Sequence, residues 1–521
     1  MTTIVTMRAG KAALLVCTAM AICSAMPQTA QAQDAASTDS AQAPQRASVG
    51  LEDIVVTARR SSESAQNVPI AITTMTAQDL SRMSVRDVVD VQKMTPGLFV
   101  SSQNSGGRAK LSIRGQSEAD SRLSTDPSVG VYIDGVPLVR SYGLRASMVD
   151  LAQVEVLKGP QGTLFGKNTT GGALNITTQH PTYELGGYVD LQYGTYDNKQ
   201  ILGVVNLPIV ADRLALRLVG QRTDRDGFGK NGNGEDVSED KNWFARALLR
   251  ADPTDNLHIL LSGDYYRQKN SATNVVLTYD AMLTRGNSAT STLGAIAAEL
   301  GLNPASAADR LTAYNRWQQI FQASGNQYGK DGQFYSNAGT GPLIDFVRHY
   351  GLSANIAYEF GDVTFKSITA YRRLKVDNGQ DLDGTPFALQ QSYVTARQKN
   401  FSQEFQLSAI DNVGFDWQVG LFYNKETGIE GSFGNALNFV STNRSSIVDV
   451  DIENKSKAAY AQAVYHLTDT LRVTGGLRYT KDSRAVDSHN RRDVSYATAP
   501  IPPTSRNACY VTVGGGSIDR S

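Results

Sequence analysis

Chemistry needs side chains that ionise, ligate or attack, and this chain places few of them in a working arrangement. Its five histidines, His180, His258, His349, His466 and His489, fall singly, with no His-Glu-x-x-His or other paired metal-ligand spacing. A Gly-x-Ser-x-Gly elbow is also missing, so no catalytic residue, resident metal or cofactor is expected, and the chain does not read as an enzyme. The glycine-rich run from Gly159 to Gly172 invites comparison with a phosphate loop. It lacks the Gly-Lys-Ser/Thr ending and a following helix, so its glycines read as tight turns and places of close approach. What remains is recognition by the main chain. Leu51-Glu52-Asp53-Ile54-Val55-Val56-Thr57-Ala58 is a short β-prone segment that could add as a strand to the edge of a partner's sheet.

The surroundings of that segment say where it works. Residues 33 to about 50 are Ala, Ser, Gln, Asp and Pro, too polar to bury a core, and read as a flexible tether. Before it, Arg8 and Lys11 precede an uncharged, mostly apolar run from Ala12 to Met26, followed by Ala30-Gln31-Ala32. This is the layout of a secretory leader cleaved between Ala32 and Gln33. The apolar run falls short of the roughly 20 residues a membrane-spanning helix needs. Cys17 and Cys23 would leave with the leader, so Cys509 alone stays and no intrachain disulfide can form. Lys plus Arg (50) balances Asp plus Glu (50), which gives no basic footprint for nucleic acid.

Two textures follow. Residues 64–178 look like a compact mixed domain. Val68 to Thr73 reads as a strand, Thr76 to Lys93 as one helix stopped by Pro96-Gly97, and Val131-Tyr132-Ile133 and Val154-Glu155-Val156 as further strands. From about Gly186 the chain becomes a series of period-2 segments. Phe415, Trp417, Val419, Leu421 and Tyr423 alternate with Asp416, Gln418, Gly420 and Asn424, with Phe422 out of pattern. Apolar residues on one side and polar ones on the other is what a tilted bilayer-spanning strand requires. A soluble sandwich also alternates. However, the connections here are sorted by length: Asp252-Pro253-Thr254-Asp255 and Gly361-Asp362 are tiny, while those near 224–240, 270–348, 377–395 and 427–447 are long. Tyrosines at segment ends (Tyr265, Tyr371, Tyr423, Tyr479) suit an interfacial girdle. Within the longest connection, Leu311, Tyr314, Trp317 and Phe321 recur at near-helical spacing over 306–323, a surface helix that could cover a barrel mouth and help select a ligand.

About 11 strands are countable, whereas bacterial single-chain barrels close with an even number. No convincing strand is read beyond residue 482 and no aromatic terminal strand closes the chain, so the sequence is expected to be C-terminally truncated.

The motifs make the resemblance specific. Residues 51–58 resemble the TonB box of a TonB-dependent outer-membrane receptor. Asn67-Val68-Pro69-Ile70-Ala71-Ile72-Thr73 is similar to the opening of that family's plug domain. So are Ile113-Arg114-Gly115, Val131-Tyr132-Ile133-Asp134-Gly135-Val136-Pro137, Leu157-Lys158-Gly159-Pro160-Gln161-Gly162-Thr163-Leu164-Phe165-Gly166 and Thr170-Gly171-Gly172-Ala173-Leu174-Asn175-Ile176.

The resemblance implies a mainly β protein: an N-terminal α+β plug over 64–178, then an antiparallel transmembrane β-barrel over 185–521, with 11 of an expected 22 strands present. It implies a monomer in the bacterial outer membrane, with lipid outside and a scarce extracellular small molecule, most often a ferric siderophore, inside. Sugars, vitamins and aromatic compounds are the alternatives, with a passive porin or a purely structural surface protein behind them. TonB would pair with residues 52–58 and transmit the proton-motive force. Pro69, Arg114, Gly115, Asp134, Gly135, Lys158, Gly159, Gly162, Gly166, Gly171 and Gly172 would be structural plug positions. Arg114, Lys158 and Asp134 are candidates for pairing across the plug or with lumen carboxylates.

Overall fold

The computed structural model describes residues 3–8, 55–57, 59–60, 63–102, 109–118, 122–144, 148–273, 294, 297–298, 300–323, 339–382, 384, 390–410, 414–435, 445–468 and 470–493. A first strand, β1 (Thr3–Arg8), lies antiparallel along the first wall strand. It falls inside the segment read above as a leader.

The plug is built from short pieces. Strands β2 (Val55–Val56) and β3 (Glu63–Ser64) form a small ladder. Strand β4 (Ala71–Thr76) leads into helices α1 (Ala77–Arg82) and α2 (Val88–Met94). The single helix expected over 76–93 is therefore two, and the reason is local. Thr76 and Asp79 form one capping box, Asp87 and Asp90 a second, and between them Ser84 takes a left-handed backbone with φ 52°. Strands β5 (Leu98–Ser102), β6 (Ala109–Ile113) and β7 (Gln116–Ser117) make one sheet. Strands β8 (Val129–Ile133), β9 (Val136–Leu138), β10 (Leu151–Lys158) and β11 (Gly172–Thr178) join β4 in another, ordered β4-β10-β11-β8-β9. In this sheet β11 and β8 run parallel. Met75, Val88, Val91, Leu111, Ile113, Val154, Val156, Leu174 and Ile176 converge between these elements into one apolar core.

The wall strands are longer and pair only with their sequence neighbours. They begin with β12 (Gly186–Gly194), β13 (Asn198–Val210) and β14 (Leu214–Arg225). A side hairpin, β15 (Gly229–Lys230) and β16 (Asp236–Val237), precedes β17 (Asp240–Thr254) and β18 (Leu257–Asn270). Then come β19 (Ile344–Phe360), β20 (Val363–Asp381), β21 (Gln391–Ala409), β22 (Phe415–Asn435), β23 (Ser445–His466) and β24 (Arg472–Asp493). Leaving β1 aside, eleven strands make one curved antiparallel sheet with β12 and β24 at its two ends. The 12-stranded order that includes β1 is linear among the described residues, from β1 to β24.

The strand count matches the sequence reading, but the ends do not. β20, β22 and β24 run on to 381, 435 and 493, past the 376, 426 and 482 expected. The long connections are correspondingly shorter, at 382–390 and 436–444. Alternation marks where lipid touches the wall, whereas backbone pairing can continue as hairpins into water. Connections 211–213, 255–256 and 361–362 remain tiny at one end. At the other end 195–197 is also short, an exception to the expected sorting.

Side-chain parity follows the period-2 reading. Phe415, Val419 and Leu421 are exposed on the outer face, while Gln418, Asn424 and Glu426 are buried on the inner one. The tyrosines Tyr265, Tyr371 and Tyr479 also face outward. A helix at Ala307–Ala323 stands where one was expected, although Leu311, on the stripe read as its packing face, is 59% exposed. No helix among the described residues is long and apolar enough to cross a membrane, a statement that leaves strand-built crossings untouched.

Candidate functional site

Two features could do work: the seam between plug and wall, and the N-terminal segment folded onto the plug. The plug motifs read from sequence supply the turns that shape both. Arg114-Gly115 closes the β6–β7 hairpin with φ 52° and 81°, and Asp134-Gly135 closes β8–β9 with φ 48° and 81°. Two successive positive φ values define the primed turn that matches strand twist, which is why each pair ends in glycine. Gly159, Gly162, Gly166 and Gly171 punctuate the loop between β10 and β11, and Gly171 N–H donates to Ser128 O at 2.9 Å. Gly166 comes up against the Arg478 guanidinium of β24, with a φ of 82° that disfavours any side chain. Gly172, Lys158 and Ala71 sit on one rung across β11, β10 and β4. Pro69 is exposed just ahead of β4.

Of the three residues proposed to pair, Asp134 does so within and beside the plug. It accepts from Thr178 N and Thr178 Oγ1 at 2.9 and 2.8 Å, and His180 Nε2 is 3.6 Å away. Burial works against its charge, but His180 and the Thr178 amide outweigh it and hold the carboxyl below its usual range. Its backbone oxygen also accepts from Asn355 of the wall at 3.0 Å. Arg114 and Lys158 hold no ion pair among the described residues.

Other arginines bridge to lumen carboxylates, and sequence reasoning missed them. Arg140 grips Glu426 with both arms, Nε at 2.6 Å and Nη2 at 2.8 Å, and both side chains are at least 95% buried. Arg122 reaches Glu430 at 3.2 Å, while Leu123 N–H donates to the same carboxylate at 2.8 Å. Arg60 meets Glu404 at 2.9 Å, its guanidinium also lying against the rings of Tyr132 and Phe165. Across the lumen, Arg217 of β14 clasps Asp150 of the plug at 2.6 and 2.7 Å, and Arg246 Nη1 donates to Val149 O. The available signal was parity. Glu404 and Glu426 occupy inward positions between the outward residues Phe401, Phe405, Leu421 and Ile429.

Part of the 51–58 segment is described, and it is docked. Glu52, Asp53, Ile54 and Ala58 lie outside the described residues, as do Ala32 and Gln33. Val55 is half exposed in β2, whereas Val56 is fully buried beside Leu157, Leu164 and Phe165. Thr57 N–H donates to Glu155 Oε1 at 2.6 Å, and Thr57 Oγ1 lies 3.1 and 3.2 Å from its two oxygens. Asn175 Nδ2 donates to Thr57 Oγ1 at 2.7 Å and to Glu155 at 3.1 Å. Gln153 Nε2 completes the cluster, donating to Val55 O and to Glu155. The free, extended peptide read from sequence is thus, from Val55 to Thr57, part of the folded plug.

A globular α+β domain seated inside an antiparallel wall, its arginines on wall carboxylates, defines a plugged outer-membrane barrel. The comparisons with known proteins agree. Residues 64–173 match the TonB-dependent Receptor Plug Domain family, and residues 297–506 match the TonB dependent receptor-like beta-barrel family. The pesticin receptor of Yersinia pestis is 31% identical over 206 residues, which is 39% of this chain and 30% of that protein. The ferripyoverdine receptor of Pseudomonas aeruginosa is 31% identical over 147 residues, 28% of this chain and 17% of that one. Among solved structures, the ferric yersiniabactin uptake receptor FyuA of Yersinia pestis superposes with a TM-score of 0.61 at 20% identity, covering 81% of this chain and 60% of that one. The matches thus cover less than a third of the two curated receptors and 60% of the solved one. With both domains present in order, it belongs to the TonB-dependent receptor family.

Proposed function

We propose that this chain serves active uptake across the outer membrane, taking a ferric siderophore from outside and drawing energy from TonB through residues 52–58. The observation that carries the reading is the plug itself. A diffusion pore gains nothing from a folded domain tied into its lumen by buried ion pairs at Glu404, Glu426 and Glu430. A pore that must open only on demand needs both the obstruction and a handle on it. The siderophore class is supported by the name of one relative above, the ferripyoverdine receptor. Iron bound to such a chelate is cargo, and no resident metal is invoked.

The handle is tested by Val55→Pro, which removes a strand donor from the segment and leaves the extracellular mouth untouched. Uptake of radiolabelled ferric siderophore by iron-starved cells should fall to the level of cells treated with a protonophore, while surface binding stays at the parent level. Normal uptake by the Val55→Pro receptor would refute the assignment of residues 52–58.

A further inference from the structure

We infer that Glu155 is a latch, a buried plug carboxylate that holds residues 55–57 folded away and makes this docking compete with strand addition by TonB. The inference rests on the reading of residues 52–58 given above. Glu155 has no exposed surface, and its partners among the described residues are neutral donors: Thr57 N–H, Thr57 Oγ1, Asn175 Nδ2 and Gln153 Nε2. A buried carboxylate without a cation stands only on its hydrogen bonds. Two of the four come from Thr57, and a third donor, Asn175, is itself oriented by the Thr57 hydroxyl. Burial pushes the Glu155 carboxyl up, and the donors from Thr57 and Asn175 oppose that shift. The carboxylate and the segment therefore stabilise each other, and release of the segment leaves Glu155 with only the Asn175 and Gln153 donors.

The same atoms are the ones a partner strand needs. Strand addition requires free main-chain groups along one edge. Here Thr57 N–H is taken by Glu155, Val55 O by Gln153, and Val55–Val56 is laddered to Glu63–Ser64. Val56 is buried among Leu157, Leu164 and Phe165. A partner cannot pair with residues 55–57 in this state, so they must first leave Glu155. The residue pair is 98 positions apart in sequence, which ties the segment to the centre of the plug sheet rather than to its own neighbours.

The test reads release directly, without TonB. In purified, detergent-solubilised receptor, Val56→Cys should react slowly with a maleimide, and Val55→Cys, half exposed, should react quickly as the access control. Adding Glu155→Ala, or separately Thr57→Val, should speed Val56→Cys labelling by about tenfold or more, since each removes hydrogen bonds to a charged group. Glu155→Gln, which keeps one acceptor, should fall between parent and Glu155→Ala. Heat-modifiable migration in gels certifies that the barrel has assembled. If Glu155→Ala fails that check, Thr57→Val decides alone. Unchanged labelling in an assembled Thr57→Val receptor overturns the latch. Binding of the TonB periplasmic domain to the same variants separates the two ideas. Faster labelling with tighter TonB binding upholds both, whereas faster labelling with no TonB binding upholds the latch and sinks the assignment of residues 52–58.

Discussion

In plug strand β11 five consecutive residues, Gly172 to Ile176, are buried, while in wall strand β22 buried Gln418, Asn424 and Glu426 are interleaved with exposed Val419, Leu421 and Ile429. The two strands carry similar residues in different arrangements because they face different solvents. The plug is organised as a water-soluble domain is, with an apolar centre between two small sheets and two capped helices. The wall is turned inside out. Its buried face mixes carboxylates and amides with apolar side chains that meet the plug, and its outward face is apolar and points away from the protein. Apolar burial therefore holds the plug together and hydrogen-bonded strand pairing holds the wall together, while ion pairs and an apolar cluster of Leu123, Tyr142 and Val149 against Val219, Phe244 and Leu374 join them.

The comparison breaks if an inward charge is tolerated equally in both regions. Ile176→Asp places an unpaired carboxylate in the plug core and should cost more than about 4 kcal/mol, collapsing the plug. Limited proteolysis should then digest residues 64–178 while the wall stays resistant; an intact plug would contradict its having an apolar core of its own. At the joint, Glu426→Ala strands the Arg140 guanidinium in a buried place, at a cost of about 3–5 kcal/mol. Adding Arg140→Leu should recover much of the loss. A double-mutant cycle on denaturant midpoints that gives no coupling would mean the pair contributes nothing to seating the plug.

How much of this was readable before the structure depended on distance along the chain. Period-2 alternation needs only neighbouring residues, so eleven wall strands and their outer faces could be placed from Phe415, Val419 and Leu421 and their like. The hairpin turns at Arg114-Gly115 and Asp134-Gly135 were equally local. The split of α1 from α2 was missed although both capping boxes, Thr76 with Asp79 and Asp87 with Asp90, are written in the sequence. The joint was not readable at all. Arg140 and Glu426 are 286 residues apart, and Thr57 and Glu155 are 98, so parity can say that a glutamate points inward but not which arginine meets it.

The smallest effect concerns the outer face, and it bears on what surrounds the wall. Leu421 is 59% exposed a third of the way along β22, with Val419 and Ile429 on the same side. In water such a stripe would be a liability, and Leu421→Arg would be neutral or would improve solubility. In a bilayer the same substitution puts a guanidinium among acyl chains and should cost about 2–4 kcal/mol at mid-depth. Folding into lipid vesicles, followed by denaturant titration of parent and variant, distinguishes these cases by sign. Moving the arginine to Gly475, which lies near the start of β24, should shrink the penalty as the site approaches the interface. A penalty that ignored depth would locate the cause in strand pairing, and the contrast between a water-built plug and a lipid-built wall would lose its physical basis.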